Sequence, residues 1–133
     1  MIKKVLVLDD DPGILEVMQE ALSYEGFEVK ILEETDDIIA LIHSYQPDVF
    51  ITDFLLKGIN GGELCKKIKT TTATSHTPVV IFSAYNKVLQ SLGYYDCDAF
   101  IPKPFDLKEL IDVVKNLSDN NLKTRINAKT IGY

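Results

Sequence analysis

Four places in this 133-residue chain carry side chains suited to chemistry: the run Asp9-Asp10-Asp11, then Asp53, Ser83 and Lys103. Carboxylates held close together repel, and one is forced neutral unless a cation intervenes. Oxygen ligands favour Mg2+ or Ca2+, and few protein ligands with retained waters favour Mg2+. A metal would let an anionic phosphate approach. Lys103 would add a second positive charge, and Ser83 a hydroxyl donor. Together these are the parts that phosphoryl transfer requires: a carboxylate nucleophile, a metal and fixed donors around the phosphoryl oxygens. Taken singly, each residue is ordinary. An acidic residue after a strand often caps a helix, and Asp11 is read as that alone. A lysine before proline is commonly a surface loop residue, and a serine after a strand a turn former. Their meaning depends on whether the fold brings them together.

The elements that must do so alternate along the chain. Val5-Leu6-Val7-Leu8 is a continuous apolar run, as expected of a strand buried on both faces. Asp11-Pro12 opens a helix with apolar residues at Ile14, Val17, Met18, Ala21 and Leu22, and Gly26 closes it. Phe27 to Ile31 alternates strictly, which predicts a half-exposed edge strand. Asp36 or Asp37 begins a second helix, which Pro47 ends. Val49-Phe50-Ile51 and Val79-Val80-Ile81-Phe82 are two more buried strands. Between them lie a glycine-rich loop (57–62), a short helix over 63–69 and a polar connection over 70–77. A short, polar fourth helix is expected over 87–92 and a brief fifth strand over 99–101. Asp106 caps a last helix with a stripe of Leu107, Leu110, Ile111, Val114 and Leu117.

Five strand–helix units predict a parallel sheet with helices on both faces, a (βα)5 three-layer sandwich. Strands one, three and four read as central, and two and five as edges, which fits the flavodoxin-like order 2-1-3-4-5. In such sheets the site lies at the carboxyl ends of the strands. Asp9-Asp10-Asp11, Asp53, Ser83 and Lys103 stand at the ends of strands one, three, four and five. Glu33-Glu34 ends strand two, apart from the others.

Composition narrows the class. The net charge is −6, with 46% hydrophobic and 26% charged residues. An acidic domain is a poor fit to direct nucleic-acid binding, which rests on basic patches. The longest apolar runs are too short to span a bilayer, and Met1 to Val5 does not open a secretory signal. Cys65 and Cys97 are too few for a disulfide scaffold and fit a reducing cytoplasm. Residues 1–118 hold eleven basic and nineteen acidic side chains, whereas 119–133 hold Lys123, Arg125 and Lys129 against Asp119. The division falls at Ser118-Asp119-Asn120-Asn121, which reads as a linker between a domain (1–118) and a polar, basic tail (119–133).

The motifs together resemble the response-regulator receiver domains of two-component signal transduction, the CheY-like family. Val5 to Pro12 resembles the opening of that domain and Val49 to Asp53 its phosphoacceptor strand. Val79 to Ala84 resembles the strand with the switch hydroxyl, and Lys103-Pro104-Phe105 the lysine segment. The resemblance covers about residues 2–118. It implies that Asp53 is the phosphorylated aspartate. Asp10 would be the main acidic Mg2+ ligand, Asp9 would assist, partly through water, and the backbone carbonyl of Leu55 would be a further ligand. Lys103 would contact the phosphoryl group, and Ser83 would move toward it. Phe100 takes the place of the family's switch aromatic, although its simpler role is that of an edge-strand core residue. The Lys103–Pro104 bond is expected to be cis. The stretch from Leu56 to Gly62 departs from the family: Leu56 and Lys57 replace Met-Pro, and Asn60 replaces the Asp of Asp-Gly. The extra glycine should loosen this loop. Leu55 and Tyr85 are bulky and should shield the site from water.

The resemblance implies a cytoplasmic switch rather than an enzyme in its own right. A sensor histidine kinase or phosphotransfer protein would supply the phosphoryl group. The face built from the fourth helix, fifth strand and fifth helix would bind the output partner, with room for a phosphorylation-dependent homodimer. An effector domain does not fit within 133 residues, so output would come from another chain or from a longer protein. Two other readings share some of the residues. A haloacid-dehalogenase-like phosphatase would use Asp9 as nucleophile, but Pro12-Gly13 stands where a threonine-rich turn belongs. A flavin carrier of this topology would need a first loop that holds phosphate, which three aspartates would repel. A third alternative is a pseudo-receiver that binds partners without phosphorylation. His43 and His76 are expected to face solvent, and the two cysteines to fill apolar space.

Overall fold

The structure is a computed structural model that describes residues 2–84 and 96–130, with side chains through residue 119. Among these residues there are five strands, β1 (Lys4–Leu8), β2 (Glu28–Leu32), β3 (Val49–Asp53), β4 (Val79–Ser83) and β5 (Ala99–Pro102). Four helices accompany them: α1 (Pro12–Tyr24), α2 (Ile38–Tyr45), α3 (Gly61–Thr70) and α4 (Leu107–Thr130). The strands form one parallel sheet in the order β2-β1-β3-β4-β5, as expected. The helix expected over 87–92 falls outside the described residues, as do Tyr85 and Tyr94-Tyr95.

Successive side chains of a strand point to opposite faces, and the central strands use this to build two cores. Val5, Val7, Val49, Ile51, Val80 and Phe82 pack on one face against Leu15, Met18 and Leu22 of α1 and Leu110 and Val114 of α4. Leu6, Leu8, Phe50, Val79 and Ile81 pack on the other against Ile38 and Ile42 of α2 and Leu64, Cys65 and Ile68 of α3. Each such side chain, once fully buried, contributes roughly 1.5–3 kcal/mol. β3 and β4 are buried along their whole length, whereas β2 is exposed or half-exposed throughout. That contrast follows from the continuous apolar runs of the former and the alternation of the latter.

The connections are fixed by the residues that flank the helices. Asp11 caps α1, its side chain accepting from the Gly13 N–H at 2.9 Å, with Pro12 in the first turn. Gly26 takes φ +94° past the end of α1, a conformation that favours glycine. Asp37 rather than Asp36 caps α2, accepting from the Ala40 N–H. Asp106 accepts from the Lys108 N–H at the start of α4.

Two boundaries differ from expectation. α3 begins at Gly61, two residues early, because the Asn60 side chain accepts from the Glu63 N–H and makes Asn60 the cap. Ser118-Asp119-Asn120-Asn121, expected to be a linker, is helical, and α4 runs on to Thr130. Ser, Asp and Asn are weak helix formers, not breakers, and neither Gly nor Pro interrupts residues 107–130. Asp119 also ion-pairs with Lys3, and Lys115 pairs with Glu25 at 3.0 Å, so α4 is fastened to the amino-terminal edge of the sheet.

Candidate functional site

Strand parity places three of the chemical side chains together. Asp9 follows Val5 and Val7, Asp53 follows Val49 and Ile51, and Lys103 follows Ala99 and Ile101, each two residues further along the same face. The sheet register pairs Leu8 with Thr52 and Asp53 with Phe82, which brings the ends of β1, β3 and β4 level. The ladder continues past β5 through a hydrogen bond of 2.8 Å from the Lys103 N–H to the Ser83 carbonyl.

The result is a compact ionic cluster. Carboxylate oxygens of Asp9, Asp10 and Asp53 all lie within 4.8 Å of one another. The Lys103 ammonium stands 3.2 Å from Asp53 Oδ1 and 3.4 Å from Asp9 Oδ2. It also sits over the Phe82 ring, 4.6 Å from the centroid. Phe82 in turn meets the Phe105 ring edge-on, with centroids 6.1 Å apart. Asp9 is fully buried and Asp53 nearly so, whereas Asp10 is exposed. The second Asp9 oxygen accepts from the Asp11 N–H at 2.8 Å, and the Leu55 N–H donates to the Asp53 carboxylate.

Burial is the largest influence on both inner carboxyls, and it pushes each above the ordinary value of 3.8. At Asp9 the Asp11 N–H opposes it, the charge of Asp53 adds to it, and Lys103 opposes it in turn. At Asp53 the opposition comes from Lys103 and the Leu55 N–H, while the charge of Asp10 adds to the rise. The cluster is therefore short of positive charge. Three hard oxygen donors at this separation, with one facing solvent, fit a divalent cation that keeps several waters.

The other expected residues are placed around this cluster. Ser83 is buried at the end of β4, beside Lys103 along the ladder. Phe100 is half-buried on β5 opposite Ile81 and packs against the second core. The Leu55 side chain is 50% exposed at the mouth of the site. The Lys103–Pro104 bond is cis. His43 and His76 are exposed, and burial pushes the Cys65 thiol up to about 12 and the Cys97 thiol up to about 11.

Composition made the loop after β3 look loose, but its far end is pinned. The Gly61 N–H donates to the Phe54 carbonyl at 2.8 Å. A Cβ built on Gly61 would lie 2.3 Å from the Asp53 carbonyl oxygen and 3.0 Å from Phe54 Cα. α3 thus begins in direct contact with the backbone that carries Asp53, an approach only glycine permits. Sequence reasoning missed two supports: this contact, and the Phe82 ring beneath Lys103. The kept glycine was a signal for the first; nothing local signals the second.

An open parallel sheet in the order 2-1-3-4-5, with an acidic cluster and a lysine at its carboxyl edge, defines a flavodoxin-like domain whose site lies where strand order reverses. The chain belongs to the response regulator receiver domain family, which matches residues 5–115. It is similar to response regulator MprA of Mycolicibacterium vanbaalenii, at 29% identity over 110 residues that make up 81% of this chain and 47% of that protein. The chain spans about half the length of the curated relatives it matches. Among solved structures it is similar to a CheY-like response regulator receiver domain protein from Methanospirillum hungatei, with a TM-score of 0.80, 26% identity, and coverage of 93% of this chain and 99% of that one. A Francisella response regulator receiver domain gives a TM-score of 0.80 at 27% identity, covering 89% and 98%.

Proposed function

We propose that Asp53 accepts a phosphoryl group from a phosphohistidine of a sensor histidine kinase or phosphotransfer protein. The observation that carries this reading is the Lys103 ammonium 3.2 Å from Asp53, beside three convergent carboxylates. An Asp53 oxygen attacks phosphorus. The new O–P bond forms as the P–N bond to the donor imidazole breaks, and the ring nitrogen keeps the electron pair and takes up a proton. Asp10, Asp9 and Asp53, with the backbone carbonyl of Leu55, would hold Mg2+, which when bound offsets the carboxylate charge and stabilises the transferring oxygens.

Lys103 then contacts a phosphoryl oxygen, and the Ser83 hydroxyl donates to another. Its movement draws the chain after β4 and lets Phe100 change rotamer, which alters the face containing β5 and α4. That face binds the output partner or a second phosphorylated copy. The bulk of Leu55 at the mouth slows attack by water. The protein works in the cytoplasm, where phosphohistidine donors are made, as a switch rather than a turnover enzyme. Residues 1–118 form the switching unit, and 119–133 carry it onward. No described helix is long and apolar enough to cross a membrane. The phosphatase reading loses support from Asp9, whose side chain is sealed from solvent, whereas that of Asp53 keeps 9% exposure.

The test is intact-mass measurement after incubation with Mg2+ and acetyl phosphate. The native chain should gain one phosphoryl group, and Asp53→Ala none. No gain for the native chain, or equal gain for the variant, overturns the proposal.

A further inference from the structure

On the β2 side of the site, away from Lys103, the carboxyl edge opens into a cavity of 370 Å³. Its floor is apolar. Leu8 and Leu64 reach it from the second core, and Leu56 and Ile59 from the loop after β3. Gly58, at φ +91°, turns that loop back so that both of these side chains pack on the same core. Its rim is acidic: Asp10, Glu33, Glu34 and Asp36 face one basic residue, Lys57. Three of the four carboxylates come from the connection between β2 and α2, which has no part in the phosphoacceptor cluster.

We infer that this cavity is a site for a small organic cation, a primary amine or guanidinium carried on a hydrocarbon body. The volume lies in the range of small-ligand sites, roughly 300–1,000 Å³. The floor gives a hydrocarbon body apolar contact that a bare metal ion could not use. The excess of carboxylates attracts a cation and repels an anion of the same shape. The rim residues are exposed, so each pairing is weak and screened by salt. Binding is therefore modest and strongest at low ionic strength. Asp10 belongs to both the rim and the acidic cluster, so a bound amine weakens divalent-cation binding, and the divalent cation weakens amine binding by the same factor. The inference goes beyond the phosphoacceptor reading and does not depend on it, because Asp53 does not line the cavity.

The experiment is an amide NMR titration of the full chain at low salt without Mg2+, using phenethylamine as probe and 3-phenylpropionate as its anionic counterpart. Phenethylamine should give saturable shifts centred on residues 33–36 and 56–59, and 3-phenylpropionate none. The double variant Glu33→Gln/Glu34→Gln should bind the amine at least about fivefold more weakly, as loss of two exposed pairings implies. Asp53→Ala should still bind it, which separates this result from any failure of phosphorylation. Absence of saturable shifts up to about 10 mM, equal binding of 3-phenylpropionate, or full affinity in the double variant overturns the inference. So does tighter binding of a blocked tripeptide whose only cation is lysine, which would give the site to a protein partner.

Discussion

The Lys103 ammonium lies 3.2 Å from a carboxylate oxygen of Asp53. It is held from three sides, by Asp53, by Asp9 at 3.4 Å and by the Phe82 ring beneath it. A long, flexible side chain is thereby fixed where a phosphoryl oxygen would arrive. The cation is in place before the chemistry, so little reorganisation is needed during transfer.

Removing that cation should slow the reaction. Lys103→Met keeps the stem and deletes the charge, so both inner carboxyls should rise further and the phosphoryl oxygens lose a partner. Acceptance from acetyl phosphate should slow by roughly 10–1,000-fold, the range for loss of one preorganised charge or donor. A time course of intact mass reads this directly, and an unchanged rate would rule the role out.

Stability should depend on pH in a direction set by the same burial. Asp9 and Asp53 have folded values raised above the ordinary 3.8, so the native state holds their protons more tightly than the unfolded chain does. Their ionisation therefore lowers stability as pH rises from the ordinary value through the raised one, and the loss is complete above it. Asp53→Asn removes one of these groups. Near pH 7, in chelator, the variant should be more stable than the parent and melt at a higher temperature. The gap should shrink as pH falls toward about 4. Thermal melts across that range check the sign and its pH dependence.

Mg2+ should stabilise the native chain by binding to it alone. At about 100 times its Kd the gain is about 2.7 kcal/mol, and a chelator should reverse it. Asp10→Asn removes an exposed carboxylate, so melts without metal should barely change. Its Mg2+ affinity, measured by calorimetry, should fall at least about tenfold.

Gly61→Ala and Gly13→Ala form a matched pair. At Gly61 the new methyl meets backbone at 2.3 Å and must push α3 away from Asp53. The cost should be about 2 kcal/mol or more. At Gly13 the nearest atom is the capping Asp11 side-chain oxygen at 3.2 Å, which has to give by only a few tenths of an ångström. That change should stay within about 1 kcal/mol. Denaturant melts of the two variants separate close backbone approach from ordinary packing.

Much of this was legible before the structure, because a parallel sheet writes itself into sequence. Val49-Phe50-Ile51 and Val79 to Phe82 read as strands wet on neither face, and an acid closing such a strand marks the carboxyl edge. Asp9 and Asp53 were found that way. Features that depend on contacts between distant segments left no such mark. Asp98 accepts from the Val79 N–H and ion-pairs with Lys69 at 2.7 Å, yet its neighbours show no periodicity to announce it. The cavity beside Asp10 arises only when two loops are laid against one core. The persistence of α4 through Ser118 to Asn121 was hidden because polar residues read alike in a linker and on the outside of a helix. Ser118 in fact turns its hydroxyl back to the Lys115 carbonyl.

The shared parity of Asp9, Asp53 and Lys103 has a genetic corollary. A single codon inserted within β1, β3 or β5 would turn that strand's terminal side chain to the opposite face and dissolve the cluster, even where the strand still paired. The same insertion in the largely exposed connection over 33–36 would lengthen a surface turn without changing the phase of any strand. A scan of one-residue insertions should therefore divide the gene into stretches where reading phase is fixed and stretches where it is free, with the boundaries of the first falling on strand ends, Asp53 among them.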